Sequence, residues 1–345
     1  MSENVQTIEW MEANKKSSGK EGERENYLKV IRGEQPDWVP VYRDCCDWLF
    51  PTFMIDYIFT EEKKDMFGVN WVIAEDGEQP DPHRPLLDDI SKWRDFVKFP
   101  DISNIDWEAA AAQDLAEQHD PNKALCYCAA NGTGAYFIAL MNMMGFEDGL
   151  CALIEEPEAV MELFETATQF YEYTMRKLIP LYNPDVVLIN DDMASAKAPF
   201  VSEEIFDEMF RPFYKRLFAV AQEFDVPIEF HMCGKCDTFI RKLHEDGVTI
   251  WEPAQVMNDL VGLRKEFGNS LVFNGGYDSQ GAAGLPGATE ETIRASVRNS
   301  IDSYAIGGGY VFWDLDPVGS SEDMLNKIAW AQDEARAYGS AFYQN

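Results

Sequence analysis

The sequence predicts a single (β/α)8 barrel of the α/β class with an N-terminal helical extension. Short β-rich runs alternate with longer amphipathic stretches along the chain. The strand candidates are continuously apolar, which is typical of a parallel sheet covered by helices. A chain of 345 residues is long enough for one large barrel, and no low-complexity linker divides it. We therefore expect residues 1–25 to form the extension and residues 26–345 to form the barrel.

Seven strands are predicted, with helical stretches between them. The helical stretches include residues 155–182 and 202–224, in which apolar residues recur with the period of an amphipathic helix. Ser202 is expected to cap the second stretch, and Pro212 is expected to divide it into two helices. The predicted strands cover residues 39–44, 124–130, 185–190, 227–230, 249–251, 270–274 and 310–313.

Composition argues against several classes of function. The chain has 61 acidic and 29 basic residues, and its net charge of −32 repels phosphate backbones and anionic lipid. We therefore expect no nucleic-acid partner and no membrane partner. No apolar run reaches the roughly 18 residues that a transmembrane helix needs, and the first twenty residues lack the apolar core of a secretory signal. Seven cysteines without such a signal predict reduced thiols in the cytoplasm.

Chemically capable side chains follow several of the predicted strands. In a (β/α)8 barrel, residues at the carboxyl ends of the strands line the active site. Adjacent residues of a strand point in opposite directions, so at most one of Asp191 and Asp192 should face that site while the strand continues. These strand-end groups are Asp191, Asp192, His231, Cys233, Glu252, Tyr277, Asp278, Asp314 and Asp316.

The stretch "VPIEFHMCGKCDTF" places an imidazole and two thiols directly after an apolar strand. His231 and Cys233 alternate on the extended chain and can therefore face one site. Zinc accepts imidazole nitrogen and thiolate sulfur, and a catalytic zinc keeps one coordination position open. The acidic cluster "FWDLDP" supplies Asp314 and Asp316, of which Asp316 is the candidate third ligand, and the alternative is a solvated acidic loop that caps a helix. One alternative is a redox pair formed by Cys233 and Cys236. The other is a purely structural role, with a buried histidine beside two core cysteines.

Aromatic residues also lie near strand ends. Trp251 and Trp313 follow or end apolar runs, and such positions would suit a flat apolar ligand. The alternative is that they only pack in the core, as most tryptophans do. The remaining histidines, His83, His119 and His244, fall in loops or outer helices and are expected to have no role in the site.

Four further motifs stand out along the chain: "FGVNW" with "PLLDDISKWRDFVKFPDI", then "NDDMASAKAPFVSEEIFDEMFRPFYKRL", then "EFHMCGKCDTFIRKLHEDGVTIWEPAQ", and then "LVFNGGYDSQGAAGLPGATEETIRASV" followed by "GGGYVFW". On these motifs, over about residues 25–340, the chain resembles the uroporphyrinogen decarboxylase superfamily, in its cobalamin-dependent methyltransferase branch. The resemblance implies a (β/α)8 barrel. The arginine-rich motif of the decarboxylases corresponds to "VPVYRDCCDWLF", which holds only Arg43, so porphyrinogen decarboxylation is not expected.

The resemblance implies a zinc site held by His-x-Cys after the fifth strand and by a further cysteine after the eighth. His231 and Cys233 match the first two positions, and the third falls near Asp316, where this chain has no cysteine. The aryl methyl ether O-demethylases have also been associated with a spacing that Glu208, Glu223 and His244 satisfy. Fifteen residues of unbroken helix span roughly 20 Å, so this second set is a poor coordination sphere.

We therefore expect a corrinoid-dependent O-demethylase component, which moves a methyl group from an O-methyl aromatic compound to the Co(I) of a partner corrinoid protein. Zinc is its expected metal, and the corrinoid (cobalamin) cofactor is expected on the partner. Tyr277, Asp278 or Asp191 would orient a phenol hydroxyl, while Trp251 and Trp313 would hold the ring. Methyl transfer from the corrinoid to a thiol, as in coenzyme M methylation, and a metal-free binding module are the alternatives. The sequence leaves the oligomeric state open, a homo-oligomer included.

Overall fold

A seven-stranded parallel sheet forms the centre of the computed structural model, which describes residues 21–54, 63–74, 77–130, 134–314 and 322–344. Within the sheet the strands follow the spatial order β1-β4-β5-β6-β7-β8-β9, while β2 and β3 form a separate antiparallel hairpin that the sequence did not predict. The described strands are β1 (Cys46–Leu49), β2 (Trp71–Ala74), β3 (Gly77–Pro80), β4 (Ala124–Cys128), β5 (Val186–Asn190), β6 (Ile228–His231), β7 (Val248–Ala254), β8 (Val272–Gly276) and β9 (Tyr310–Trp313).

Helices cover the sheet. The helix predicted over 155–182 begins at Pro157, and Ser202 caps the next helical stretch through its hydroxyl, which accepts the amide of Ile205 at 3.3 Å. The described helices are α1 (Glu23–Ile31), α2 (Tyr42–Cys45), α3 (Trp93–Phe96), α4 (Trp107–Gln118), α5 (Phe137–Met144), α6 (Phe146–Glu155), α7 (Pro157–Tyr182), α8 (Glu203–Ile205), α9 (Arg211–Glu223), α10 (Asp237–Glu245), α11 (Leu260–Phe267), α12 (Glu290–Tyr304) and α13 (Glu322–Gly339).

The two edges of the parallel sheet meet on one short segment of chain. Val41 bridges Phe312 of β9, and the amide of Phe312 donates to the carbonyl oxygen of Pro40 at 2.8 Å. A few residues later, β1 pairs with β4. The sheet therefore curls into a barrel, as the sequence predicts.

The first predicted strand, residues 39–44, is wrong in its position. The chain turns directly after Val41, because the amides of Asp44 and Cys45 both donate to the Val41 carbonyl oxygen and form the short helix α2. The strand then follows at Cys46–Leu49 instead. In the second helical stretch, a π-helical turn over Phe206–Phe210 leads into α9, which has Pro212 in its first turn.

The two faces of the sheet belong to different hydrophobic clusters. The outer face packs against the helices through residues such as Val187, Phe230 and Phe312. Tyr27 and Val30 of α1 join the inner cluster, so this helix packs against the barrel interior. The inner cluster is formed by alternate strand residues, namely Cys46, Ala124, Cys126, Cys128, Val186, Leu188, Ile250, Val272, Val311 and Trp313.

Helix α1 spans the predicted boundary at residue 25, and residues 1–20 lie outside the described ranges. Within those ranges, no single helix combines the length and apolar composition needed to cross a bilayer, although α5 and α6 pass that test as a pair bent by 114°.

Candidate metal centre

His231 ends β6 with its side chain on the inner face of the barrel. The register of the parallel strands pairs Asn190 of β5 with His231 and pairs His231 with Glu252 of β7. Paired residues of a parallel sheet point to the same side. Cys233 follows two residues after His231 and returns to that side, as the sequence predicts.

Three potential metal ligands converge at this point. The Nε2 atom of His231 lies 3.6 Å from the Oδ1 atom of Asp192 and 3.6 Å from the Sγ atom of Cys233. In the part of the chain that the structure describes, this is the one group of His, Cys, Asp and Glu side chains with ligand atoms all within 4.8 Å of one another. One nitrogen, one sulfur and one oxygen form a donor set that zinc accepts, so these residues fit the metal that the sequence predicts.

Asp192 provides the carboxylate of this group. It also accepts the amide of Cys233 at 2.6 Å and so holds the thiol beside the imidazole. Although burial opposes ionisation, the facing His231 lowers the pKa of Asp192 below its ordinary value. Asp316, the predicted third ligand, lies outside the described residues. Asp192 was visible as a strand-end group, but the sequence did not identify it as a ligand.

Glu252 contacts the His231 imidazole through the ring nitrogen that does not face Asp192 and Cys233. Its Oε1 atom lies 2.6 Å from Nδ1 of His231, and its side chain is fully buried. Burial opposes protonation of His231, but the carboxylates of Glu252 and Asp192 outweigh it and raise the pKa of the ring well above its ordinary value. Burial raises the pKa of Glu252 and of the Cys233 thiol. A carboxylate behind a metal-binding histidine is a common device for fixing its tautomer and orientation.

Neighbouring loops hold the backbone around Cys233 in place. Gly234 has a φ of 91°, and a Cβ atom at this position would collide with the carbonyl oxygen of Ala194. The amide of Gly234 donates to the side chain of Gln255 at 2.6 Å, and Asn258 donates to the Gly234 carbonyl oxygen at 2.8 Å. These contacts tie the β6 loop to the loops after β5 and β7.

Cys236 occupies a different environment from Cys233. It is fully buried, and its thiol donates to the carbonyl oxygen of Met232 at 3.6 Å. Burial raises the pKa of the Cys236 thiol well above its ordinary value. A thiol with these properties is a poor redox nucleophile, which favours a metal site over a redox pair.

Asp191 is a helix cap and not the catalytic carboxylate that the sequence predicts. It shares the outer face with Val187 and Ile189 and is fully buried. Around the start of α5 it accepts hydrogen bonds from the amides of Tyr136, Phe137 and Ile138 at 2.8–2.9 Å, and it also accepts the Tyr214 hydroxyl at 2.6 Å. Burial raises the pKa of Asp191 to about 6 despite these donors.

The two predicted ring-binding tryptophans face opposite ways. Trp251 pairs with Phe230 and Phe273 on the outer face, is fully buried, and donates its indole N–H to the carbonyl oxygen of Met232 at 3.2 Å. It therefore packs in the core and cannot hold a ring inside the barrel. Trp313 belongs to the inner cluster, and its ring centroid lies 5.8 Å from that of Trp48. Trp48 is only partly buried. We call the pair of Trp48 and Trp313 the aromatic wall.

Tyr277 and Asp278 follow β8, two strands away from β6 in the sheet. Together with Gln255 they line a cavity of about 270 Å³. The ring of Tyr277 packs edge-on against Phe312, and burial, with Asp314 and Asp278, raises the pKa of its hydroxyl. Their place in the site stays a prediction, since neither side chain belongs to the group formed by Asp192, His231 and Cys233.

A buried polar layer lies next to the metal-binding group on the inner face. The carboxylate of Glu229 accepts the Tyr42 hydroxyl at 3.0 Å and the Asn274 amide at 3.0 Å. The indole N–H of Trp48 donates to the Tyr42 oxygen at 2.7 Å. Burial and the nearby Glu252 raise the pKa of Glu229 to about 8. This network connects the aromatic wall to the strand that carries His231.

Glu208, Glu223 and His244 do not converge. Glu223 pairs with Arg176 at 2.8 Å. The His244 ring bonds the Val248 carbonyl oxygen at 2.7 Å and the Ser270 hydroxyl at 3.1 Å, outside the barrel. This second set therefore provides no coordination sphere.

Comparisons with known proteins agree with this architecture. The family described as uroporphyrinogen decarboxylase (URO-D) matches residues 62–313. Among solved structures, a methyltransferase from Methanosarcina mazei superimposes with a TM-score of 0.60 at 11% sequence identity, covering 92% of this chain and 99% of that one. At that identity the likeness shows the fold alone. No curated protein matches the sequence.

Proposed function

Since the chain belongs to the uroporphyrinogen decarboxylase family, we propose that it is a zinc-dependent methyltransferase that moves a methyl group from an O-methyl aromatic compound to the Co(I) of a partner corrinoid protein. The observation that carries this proposal is the convergence of Asp192, His231 and Cys233 at the carboxyl end of the barrel. The reaction class follows the expectation from the sequence motifs, and a methyltransferase is among the proteins with this fold.

His231 Nε2, Cys233 Sγ and an Asp192 carboxylate oxygen would hold the zinc ion. When bound, zinc supplies a Lewis acid for the ether oxygen of the substrate. Glu252 accepts the Nδ1–H of His231 and so keeps the Nε2 lone pair free for the metal. The hydrogen bond from the Cys233 amide to Asp192 holds two of the ligands in register with each other.

The chain must also bind and orient the arene. A phenolate is a poor leaving group at neutral pH, so stabilisation of the departing oxygen has to provide much of the rate gain. Trp313 and Trp48 offer an aromatic surface on the inner face for the ring. Tyr277 and Asp278 are the remaining candidates for orienting a phenol hydroxyl, since Asp191 points away from the barrel interior.

The partner has to reach the open end of the barrel. Direct transfer requires the cobalt to come within bonding distance of the substrate methyl group. The corrinoid therefore belongs on a separate protein that covers the strand ends during transfer, and no group of this chain has to bind it permanently.

The experiment mixes the purified protein, a cognate corrinoid protein reduced to Co(I), and guaiacol-type ethers, and follows the cobalt absorption spectrum. We expect methylation of the corrinoid with the protein and none with a Cys233→Ser variant. A parallel reaction with methylcobalamin and coenzyme M tests the opposite direction. Absence of corrinoid methylation with every methyl donor would overturn the proposal.

A further inference from the structure

The loop after β6 carries the candidate ligand Cys233, and side chains of two other loops hold its backbone. The Cys233 amide donates to Asp192 at 2.6 Å. The Gly234 amide, which belongs to the next peptide group, donates to the side-chain oxygen of Gln255, also at 2.6 Å. We propose that Gln255 is a positioning residue that fixes the Cys233 thiolate at the metal centre through the Gly234 amide. The inference rests on the proposed function and concerns the geometry of its metal centre.

Two planar peptide groups meet at the Cα atom of Cys233, one on each side. Their positions determine the direction of the Cα–Cβ bond and therefore where the thiol side chain begins. Asp192, itself a candidate ligand, holds one of these groups. Gln255 holds the other, although it does not belong to the metal-binding group. The geometry of the thiolate therefore depends on a residue that does not have to touch the metal.

Strand β7 and the loop that follows it contact both candidate ligands of β6. Glu252 of β7 contacts Nδ1 of His231 at 2.6 Å, and Gln255 follows directly after the end of the same strand. Asn258 strengthens the second contact, because its side-chain amide donates to the carbonyl oxygens of Gly234 at 2.8 Å and of Gln255 at 3.0 Å. The imidazole is thus oriented through Glu252 and the thiolate through Gln255, as groups behind metal ligands commonly do.

The next two amides of the loop are also bound to oxygen atoms of other loops. The Lys235 amide donates to the carbonyl oxygen of Ser195 at 2.8 Å, and the Cys236 amide donates to the side chain of Asn258 at 2.9 Å. Within the described part of the chain, no backbone amide donates to the Cys233 sulfur. Because an N–H bound to sulfur would withdraw charge from it, this arrangement leaves the thiolate charge available to the metal.

The Gln255 side chain suits this role because it is buried and its orientation is determined. The residue is only 9% exposed. Since the Gly234 amide is a donor, the oxygen of the Gln255 side chain has to face it. A buried amide that loses its acceptor is costly unless it finds another one. Loss of this oxygen would therefore release the Gly234 amide beside the Cys233 sulfur.

The test compares two substitutions of Gln255 in the full-length protein, without corrinoid protein and without turnover. Gln255→Met removes the acceptor, whereas Gln255→Glu keeps an oxygen for the Gly234 amide. Competition with a chelator measures zinc affinity, and the Co(II)-substituted protein reports the thiolate-to-metal charge-transfer band. We expect Gln255→Met to bind zinc about tenfold more weakly and to shift this band to higher energy, because the released amide can donate to the sulfur. Gln255→Glu should bind zinc at least as tightly as the unaltered protein.

Gln118→Met is the matched control. Gln118 also accepts a backbone amide, that of Phe50 at 3.0 Å, but it contacts the chain just after β1, three strands away from β6 in the sheet. This variant should leave zinc affinity and the cobalt spectrum unchanged. Unchanged zinc affinity with an unshifted band in Gln255→Met overturns the inference and leaves the proposed function standing, and so does an equal loss of zinc in both Gln255 variants. Failure of the unaltered protein to bind zinc overturns both.

Discussion

Neighbouring residues of the same strands play opposite parts in this barrel. On β6 and β7, Phe230 and Trp251 face outward and pack under the helices, while His231 and Glu252 face inward and contact each other at 2.6 Å. After β5, Asp191 caps α5 from the outer face, whereas Asp192 lies with His231 and Cys233 in the candidate metal site. One residue along the chain therefore separates a buried helix cap from a candidate ligand, because side chains alternate across the sheet.

Residue type alone does not identify a functional side chain in this barrel. Asp191 and Asp192 are chemically identical and adjacent. Asp191 has three amides and a hydroxyl as partners in a fully buried position, while Asp192 is 39% exposed and faces an imidazole and a thiol. Variants at such pairs of residues should therefore differ in their effects on stability and on zinc binding.

Substitutions of the two thiols in the loop after β6 should differ most in their effects on activity and on zinc content. Cys233→Ser weakens the metal site, so kcat/KM for methyl transfer should fall about 10³-fold or more, and the free energy of unfolding should change by less than about 0.5 kcal/mol. Cys236→Ser is the matched control. It should keep zinc and activity and should lose about 1 kcal/mol of stability, since a buried hydroxyl replaces a buried thiol. Equal zinc loss in both variants would contradict the division.

Substitutions of the two adjacent carboxylates should show the next largest difference, in stability and in zinc affinity. Asp191→Ala leaves buried amides and the Tyr214 hydroxyl without an acceptor, so the free energy of unfolding should fall by about 3 kcal/mol or more. Asp192→Ala should change stability far less and should weaken zinc binding by more than the roughly 10- to 100-fold that is typical of losing a group behind a ligand. Chemical denaturation and a zinc competition assay provide the two measurements. Release of zinc by Asp191→Ala without loss of stability would contradict the assignment of Asp191 as a helix cap.

Glu252→Gln tests the orienting contact behind His231. Because the amide oxygen can still accept from Nδ1 but carries no charge, zinc affinity should fall about tenfold, at the lower end of effects from groups behind a metal ligand. Circular dichroism of the folded state should be unchanged. An unaltered zinc affinity would show that the 2.6 Å contact does not support the metal site.

The two tryptophans should show the smallest contrast. Trp251→Phe opens a void on the outer face and should cost about 1–3 kcal/mol of stability with little effect on KM. Trp313→Phe reduces the aromatic wall and should raise KM for the arene about threefold, in line with a modest loss of ring contact. A larger change in KM for Trp251→Phe than for Trp313→Phe would reverse their assignment to the two faces.

Much of the fold followed from the sequence, because the short, continuously apolar runs of parallel strands and the longer amphipathic runs of helices are distinct patterns. The position of β1 did not, since the amides of Asp44 and Cys45 donate to the Val41 carbonyl oxygen and interrupt the extended run with the short helix α2. The sequence also could not assign Asp192 and Trp251 to the inner or the outer face of the sheet. An error of one residue in the end of a strand moves every side chain to the other face. The role of Glu252 depends on the register of β6 and β7, which shifts between Ile228 and Glu229.

His231 and Cys233 were predicted correctly as neighbours, because their spacing of two residues is local and needs no knowledge of the register. The role of either residue in zinc binding, the place of Tyr277 and Asp278, and the domain boundary at residue 25 all stay predictions. The third ligand depends on which strand lies beside β6, and a single sequence does not contain that information.

The most direct test of the metal centre is an anomalous difference map from crystals of the purified protein, recorded at the zinc absorption edge. We predict a single strong peak within bonding distance of His231 Nε2, Cys233 Sγ and a carboxylate oxygen of Asp192. A map with no peak there, or with its peak beside Glu208, Glu223 and His244, would contradict the assignment.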